Sequence, residues 1–160
     1  PYVRLIDKQT DEEIAVFRKF GLLAGEVERD PERGAFPPLC LYNFPNYPDG
    51  ALRTTVAELA RFLMAYINQG QYESTRLLKA DTVRLMLTPQ NPSPAHQGLC
   101  WVTQVQEGRP HWQHNGSDPG VRTNLSFRPS DGVGVIIFVN RSGVELTNIN
   151  KRLFQESSRF

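Results

Sequence analysis

An α+β fold is predicted by the sequence, with helices first, an antiparallel sheet of about four strands next, and a closing helix that flanks the sheet. Three observations support this class. Apolar residues recur at helical spacing over 55–69, alternate with polar residues at strand spacing from residue 98, and occupy nearly every position of 133–139. A chain of 160 residues can bury a core of its own, so we expect residues 1–160 to form one domain.

The N-terminal third contains one helix signal among loop-like segments. Thr10-x-x-Glu13 is a capping-box pattern, in which two side chains satisfy amide donors at a helix start, and it predicts a short helix over 11–20. Residues 25–38 are charged and contain prolines, which indicates an exposed loop. Residues 39–50 combine aromatic residues with prolines, so we expect an ordered loop that packs on the other elements.

The middle of the chain carries the strongest helix signal. Thr55-x-x-Glu58 is a second capping box, and Gly70 supplies a left-handed stop, so we predict a helix over 55–69. A shorter helix is predicted over 80–87, where Thr88-Pro89 ends it. The first of these helices presents one apolar stripe, formed by Val56, Leu59, Phe62, Leu63, Tyr66 and Ile67.

The C-terminal part predicts a meander of strands and then a helix. Alternation of apolar and polar residues indicates a strand from 99 to 106, and Glu107-Gly108 turns the chain. The apolar run at the fourth strand predicts that both of its faces are covered. The remaining predicted elements are strands over 109–114, 121–127 and 133–139, a turn over 129–132, and a helix over 144–157.

Charge and hydropathy exclude two classes of partner. The net charge of +1, from 18 basic and 17 acidic residues, provides no electrostatic basis for binding nucleic acid or an anionic membrane. No apolar run approaches the roughly 20 residues that span a bilayer, so we expect no transmembrane segment. The first residues do not have the pattern of a signal peptide, and the compartment is therefore not readable from them.

The cysteines and histidines do not suggest a metal or another cofactor. Cys40 and Cys100 either pair in an oxidising compartment or act as small buried hydrophobic residues, and the sequence leaves both open. Three histidines with no close cysteine do not form a zinc-binding pattern. We expect His96 and His111 to be solvated.

The most informative stretch lies between the second and third predicted strands. It reads His114-Asn115-Gly116-Ser117-Asp118-Pro119-Gly120. Taken alone, the stretch has an ordinary interpretation, because Ser, Asp, Pro and Gly form turns and a histidine at a strand end is commonly a surface residue. The position of this stretch in the order of motifs along the chain favours a functional interpretation.

Four motifs occur in an order that resembles the C-terminal half of the β-lactamase-related serine hydrolases. That family includes class C-type β-lactamases, D-alanyl-D-alanine peptidases, D-aminopeptidases and esterases. The resemblance covers about residues 42–158, whereas residues 1–41 match poorly. It implies that residues 1–160 are part of a larger β-lactamase/transpeptidase-like fold. The motifs are Tyr47-Pro48-Asp49-Gly50 before a helix, Leu77-Leu78 before a short helix, Gly98-Leu99-x-Trp101, and His114-x-Gly116-x-x-Pro119-Gly120 before two strands.

The resemblance implies covalent acyl transfer, in which an activated serine attacks a carbonyl and backbone amides hold the oxyanion. His114 would bind a substrate carboxylate or assist proton transfer. The amide N–H of Ser117 would be one oxyanion donor. Gly116 would let the strand approach the substrate closely, and Asn115 would present its side chain toward the cleft.

The chain lacks the nucleophile of that family, a serine followed three residues later by a lysine. Tyr66-Ile67-Asn68 imitates the family's Tyr-x-Asn motif, but Tyr66 belongs to the apolar stripe, so we interpret this match as chance. Trp101 and Trp112 are interpreted as packing residues of the sheet. None of the four lysines completes a Ser-x-x-Lys, because the residues three positions before them are Leu5, Val16, Arg76 and Asn148.

Three hypotheses follow. In the first, the chain is the C-terminal part of a serine hydrolase that acts on an amide, ester or β-lactam carbonyl of a small acyl or peptide substrate. It would then pair with a missing N-terminal half or self-associate, and the resemblance implies a periplasmic, secreted or membrane-associated protein. In the second, it is a non-catalytic binding module that retains the scaffold and binds a peptide or protein partner. In the third, the resemblance is misleading and the role of the α+β domain is open.

Overall fold

The structure, a computed structural model, describes residues 49–91, 96–118 and 120–157, together with 2–4, 11–19, 21, 23, 27–30, 34–36 and 38–40. It divides into two compact units. The larger unit contains Thr54–Asn115, Thr123–Ile137 and Glu145–Phe160, and the smaller contains Pro1–Arg53, Gly116–Arg122 and Phe138–Val144.

The helices and the main sheet follow the predicted order, with three helices before the sheet and one after it among the described residues. In chain order they are β1 (Tyr2–Arg4), α1 (Asp11–Lys19), β2 (Glu28–Asp30), β3 (Gly34–Phe36), β4 (Pro38–Cys40), α2 (Val56–Ile67), β5 (Gln71–Tyr72), β6 (Thr75–Arg76), α3 (Ala80–Met86), β7 (Val102–Gln106), β8 (Arg109–Asp118), β9 (Val121–Arg128), β10 (Val133–Val139) and α4 (Thr147–Glu156).

The main sheet has four strands in the order β10-β9-β8-β7, so each strand lies beside its neighbour in the chain. β7 and β8 are antiparallel, from the pair Gln106 and Arg109 at the turn to the pair Val102 and Gln113. The other described strands form two-stranded ribbons, which are β1 with β4, β2 with β3, and β5 with β6. This arrangement confirms the predicted α+β class and the four-stranded sheet.

Helix α2 begins with the capping box that the sequence predicts. The amide of Glu58 donates to Thr55 Oγ1 at 3.2 Å, and the amide of Thr55 donates to Glu58 Oε2 at 3.0 Å. These bonds to Thr55 lower the pKa of the Glu58 carboxyl, because they stabilise its charged form. The helix ends at Ile67, where the chain turns and the amide of Gly70 donates to the Ala65 carbonyl at 2.6 Å.

The apolar core of the larger unit lies between α2, α3 and one face of the sheet. Tyr66 contacts Trp101 edge-on, with ring centroids 5.1 Å apart, and Trp101 contacts Phe127 in the same way at 5.0 Å. The two tryptophans are therefore packing residues, as predicted, and Tyr66 is part of the buried stripe. The buried members of this core are Leu63, Tyr66, Val83, Trp101, Trp112 and Phe127.

Several boundaries differ from the sequence prediction. Residues 25–38 were expected to be loop, but 28–30 and 34–36 pair as a ribbon, because backbone pairing requires no apolar pattern. Within 39–50, also expected to lack regular pairing, Leu39 and Cys40 pair with β1. Thr10 of the first predicted capping box lies outside the described residues.

The fourth strand is less enclosed than its sequence suggests. Val135 and Ile137 are buried, and Ile136 packs against the core, so the middle of β10 is covered on both faces. The expectation of full coverage is wrong at Phe138, whose side chain is 39 % exposed. An unbroken apolar run therefore does not identify the point at which the covering elements stop.

Two glycines with positive φ provide a test of the packing at the end of α2. Gly70 (φ +91°) lies against Leu78, and a Cβ at this position would overlap the Leu78 carbonyl oxygen. Gly108 (φ +75°) has open space around the same position. Gly70→Ala should lower the free energy of unfolding by about 3 kcal/mol, because overpacking adds to backbone strain, and Gly108→Ala by about 1 kcal/mol. Urea unfolding of both variants measures the difference, and equal losses would contradict the packing described.

Candidate active site

Strand β8 is longer than its neighbour β7, and the candidate residues lie on the extra length. Val102, the first residue of β7, pairs with Gln113. β8 continues for five more residues to Asp118. His114, Asn115, Gly116 and Ser117 therefore lie beyond the end of β7, on an extension of the strand.

The turn between the two strands determines which way the backbone groups of this extension point. Glu107 (φ +52°) and Gly108 (φ +75°) form a two-residue turn, so the closing pair of Gln106 and Arg109 exchanges hydrogen bonds. Every second residue of β8 from Arg109 then directs its N–H and C=O toward the β7 side. By this alternation, the amide N–H of Ser117 would point to the side of β8 that β7 no longer occupies.

His114 shares a sheet face with the core. Side chains alternate between the two faces of a strand, and Trp112 packs in the core beside Leu63 and Tyr66. His114, two residues later, therefore lies on the same face as Trp112, and its side chain is exposed. Gly116 follows on that face and is half-buried.

Asn115 lies on the opposite face. Its Oδ1 accepts a hydrogen bond from Asn124 Nδ2 at 2.7 Å, and the same Nδ2 donates to Gln113 Oε1 at 3.1 Å. Asn115 thus directs its side chain away from the face of His114, and only its backbone groups reach the edge of β8 that β7 leaves. The site roles of His114, Asn115, Gly116 and Ser117 remain predictions.

A buried group of polar side chains beneath β8 was not predicted from the sequence. Asn150 Nδ2, from α4, donates to Asn124 Oδ1 at 2.6 Å and to Ser126 Oγ at 2.7 Å. The exposed fractions are 3 % for Asn124, 0 % for Ser126 and 5 % for Asn150. One signal could have found them, because Asn124 and Ser126 are spaced two apart in a predicted strand and must share a face.

His111 is buried, so the expectation that it is solvated is wrong. Its side chain is 3 % exposed, and its ring lies against Phe154 of α4 with centroids 5.3 Å apart. Burial lowers the pKa of His111, and the positive charge of Arg128 lowers it further. Nδ1 of His111 has no hydrogen-bond partner among the described residues.

Arg128 accounts for the positive charge near His111. Its guanidinium carbon lies 4.5 Å from the centroid of the Phe154 ring, and Nη2 forms an ion pair with Asp131 Oδ2 at 2.9 Å. The Arg128 side chain is therefore buried, and its charge is paired with a carboxylate that reaches solvent. The alternation of residues along the strands did not indicate the burial of His111, because it is α4 that covers that face of the sheet.

The smaller unit contains Gly120, which follows the end of β8. The amide of Gly120 (φ +77°) donates to Ser142 Oγ at 2.7 Å. Ser142 therefore restrains the backbone at Gly120. The sequence around Ser142 did not predict this contact.

Other kinds of site are not found in the part of the chain that the structure describes. No group of three or more His, Cys, Asp or Glu side chains could hold a metal ion there. Cys100 is an exposed free thiol. None of the helices in the described ranges combines the length and apolarity that crossing a membrane requires.

The buried neutral state of His111 predicts a pH dependence of stability. Because its pKa is lowered in the folded state, the unfolded chain binds the proton more readily. Its contribution to stability is present above the ordinary value of 6.5 and is lost as the pH falls below it. The free energy of unfolding should therefore decrease between pH 7.5 and pH 5.5 in urea titrations.

His111→Gln should flatten this decrease, because the glutamine side chain does not titrate. His96→Gln is the matched control, since His96 is exposed and the substitution leaves His111 in place. Equal pH dependence in the two variants would show that another group is responsible.

Comparison with known proteins places the chain in a family. The family model described as Beta-lactamase matches residues 14–156, which is most of the chain. No curated protein matches the sequence significantly. The match spans the core, the sheet and the extension of β8 that carries His114, and the chain therefore belongs to the beta-lactamase family.

Proposed function

We propose that this chain supplies one wall of a serine hydrolase active site that performs acyl transfer on an amide, ester or β-lactam carbonyl. One observation carries the proposal: β8 continues for five residues beyond its last pair with β7. The alternation of backbone groups along the strand would direct the Ser117 amide to the side that β7 leaves. A backbone N–H in that position is oriented before any substrate binds, which is the property that stabilises a developing oxyanion.

The neighbouring residues have complementary roles in the proposed site. His114 is exposed on the core-facing side of β8, where an imidazole would bind a substrate carboxylate or assist proton transfer. Gly116 lies between His114 and the donor amide, and the lack of a side chain allows close approach of the substrate. Asn115 contributes through its backbone, since Asn124 holds its side chain on the other face.

The nucleophile of the proposed reaction comes from outside these 160 residues. None of the four lysines is preceded at three residues by a serine. An oxyanion donor and a histidine can stabilise the tetrahedral intermediate, but without an activated serine no group attacks the carbonyl to form it. We therefore infer that the chain acts together with a segment that carries Ser-x-x-Lys, on a small acyl or peptide substrate.

The 160-residue chain alone should form no acyl-enzyme. Incubation with a fluorophosphonate or a penicillin should leave its intact mass unchanged, because the sequence contains no Ser-x-x-Lys. A serine β-lactamase treated in parallel provides the positive control. A stoichiometric adduct on the isolated chain would overturn the inference that the nucleophile lies elsewhere.

A polypeptide that joins this chain to a Ser-x-x-Lys segment should depend on His114. His114→Ala should lower kcat/KM for an ester or β-lactam substrate by about 100-fold, the size of effect expected for a positioned acid–base group. His96→Ala is the matched control, because His96 is exposed and lies outside β8. Equal rates for the two variants would remove His114 from the mechanism.

The reading frame that encodes this chain distinguishes the proposal from its alternative. A Ser-x-x-Lys ahead of residue 1 agrees with the hydrolase. An intact frame without one would overturn the proposal and favour the non-catalytic module, in which the same strand extension binds a peptide or protein partner.

A further inference from the structure

The amides on the α4 side of β8 form one continuous hydrogen-bonded chain, which is buried at Asn124 and Asn150 and exposed at Asn115. It begins at Ser126 Oγ, which accepts from Asn150 Nδ2. The same Nδ2 donates to Asn124 Oδ1, and Asn124 Nδ2 donates to the side-chain oxygens of Asn115 and Gln113. Helix α4 is thereby connected through β9 to β8.

With the neighbouring amides oriented as they are, their donors and acceptors match one orientation of the central amide. Asn124 uses its oxygen toward α4 and both hydrogens of its Nδ2 toward β8. Rotating the amide by 180° would place its NH₂ against the NH₂ of Asn150 and its oxygen against two oxygens. Asn124 is buried, so each bond that its amide loses would leave one of its own polar atoms unsatisfied, which restrains the amide. Asn115, at the end of the chain, is exposed.

The chain of amides ends within the strand extension. Asn115 is the residue between His114 and Gly116, and it follows the last residue of β8 that pairs with β7. Beyond that pair, the extension has β9 as its neighbour on one edge. The bond from Asn124 to Asn115 therefore supplies a restraint where pairing with β7 has ended.

We propose that Asn124 and Asn150 are positioning residues for the strand segment that carries His114 and the Ser117 amide, acting through the side chain of Asn115. The inference rests on the proposed function for its catalytic meaning. Its structural part, the restraint on residues 114–117, stands separately. Asn124 lies on the sheet face opposite His114, and Asn150 belongs to α4, which packs against that face.

Hydrogen exchange measured by NMR on the isolated chain tests the restraint. By the alternation along β8, the amides of His114 and Gly116 point to β9, and those of His111 and Gln113 point to β7. Asn124→Leu, which keeps the side-chain volume and removes the bonds, should accelerate exchange at His114 and Gly116 by about tenfold relative to His111 and Gln113. Asn150→Ala should have the same effect to a smaller degree, because Asn124 then loses its orienting partner.

Two control variants separate positioning from general stability. Ser126→Ala removes one bond of Asn150 but leaves the bonds from Asn124 to β8, so it should lower the unfolding temperature without changing the exchange ratio. Asn148→Ala changes the same residue type on an exposed position of α4 and should change neither quantity. If the ratio of exchange rates changes in proportion to the unfolding temperature in all four variants, the proposal is overturned. If Asn124→Leu does not fold, the comparison of Asn150→Ala with Ser126→Ala decides it.

The catalytic consequence is measured in the polypeptide that also carries Ser-x-x-Lys. Asn150→Ala should lower kcat by about tenfold and leave KM within about twofold, because a misplaced strand weakens transition-state contacts more than substrate binding. Unchanged kcat, with the exchange ratio altered, would refute the catalytic part of the inference. Failure of the proposed function is recognised differently, by an intact reading frame that contains no Ser-x-x-Lys.

Discussion

Strand β8 is held from both faces of the sheet but paired with β7 over only half of its length. On one face, Trp112 packs into the apolar core with α2. On the other, Gln113 and Asn115 accept hydrogen bonds from Asn124, which Asn150 of α4 orients. Because both faces are fixed, the strand can extend past the end of β7 and still present its backbone amides in a defined direction.

The two faces stabilise the strand by different physical means. The aromatic core removes apolar surface from water and tolerates small shifts, since its contacts have little directionality. The amide chain contributes little net free energy per bond, but each bond has a required direction and a high cost if broken. The directional face therefore determines the orientation of β8, and the apolar face determines that the sheet and α2 stay together.

Membership of the beta-lactamase family describes the scaffold, and the site determines what the scaffold can do. The described residues offer an imidazole and a backbone donor on one strand. An imidazole and a backbone amide are groups that can stabilise charge and move protons, but they do not attack a carbonyl. The proposed function therefore assigns this chain the electrostatic half of an acyl-transfer site and leaves the nucleophilic half to another segment.

Local features of the chain were readable before folding was considered. The capping box of Thr55 and Glu58, the stripe of α2 and the order of the four strands depend on residues that are contiguous or one turn apart. The burial of His111, the partner of the Asn115 side chain and the network around Asn124 were not readable. The first and the last depend on α4, which is distant in sequence from β8 and covers one face of the sheet, and the partner of Asn115 comes from β9. A polar side chain acquires its partner only when a second element packs against it, so its role was decided by three-dimensional packing.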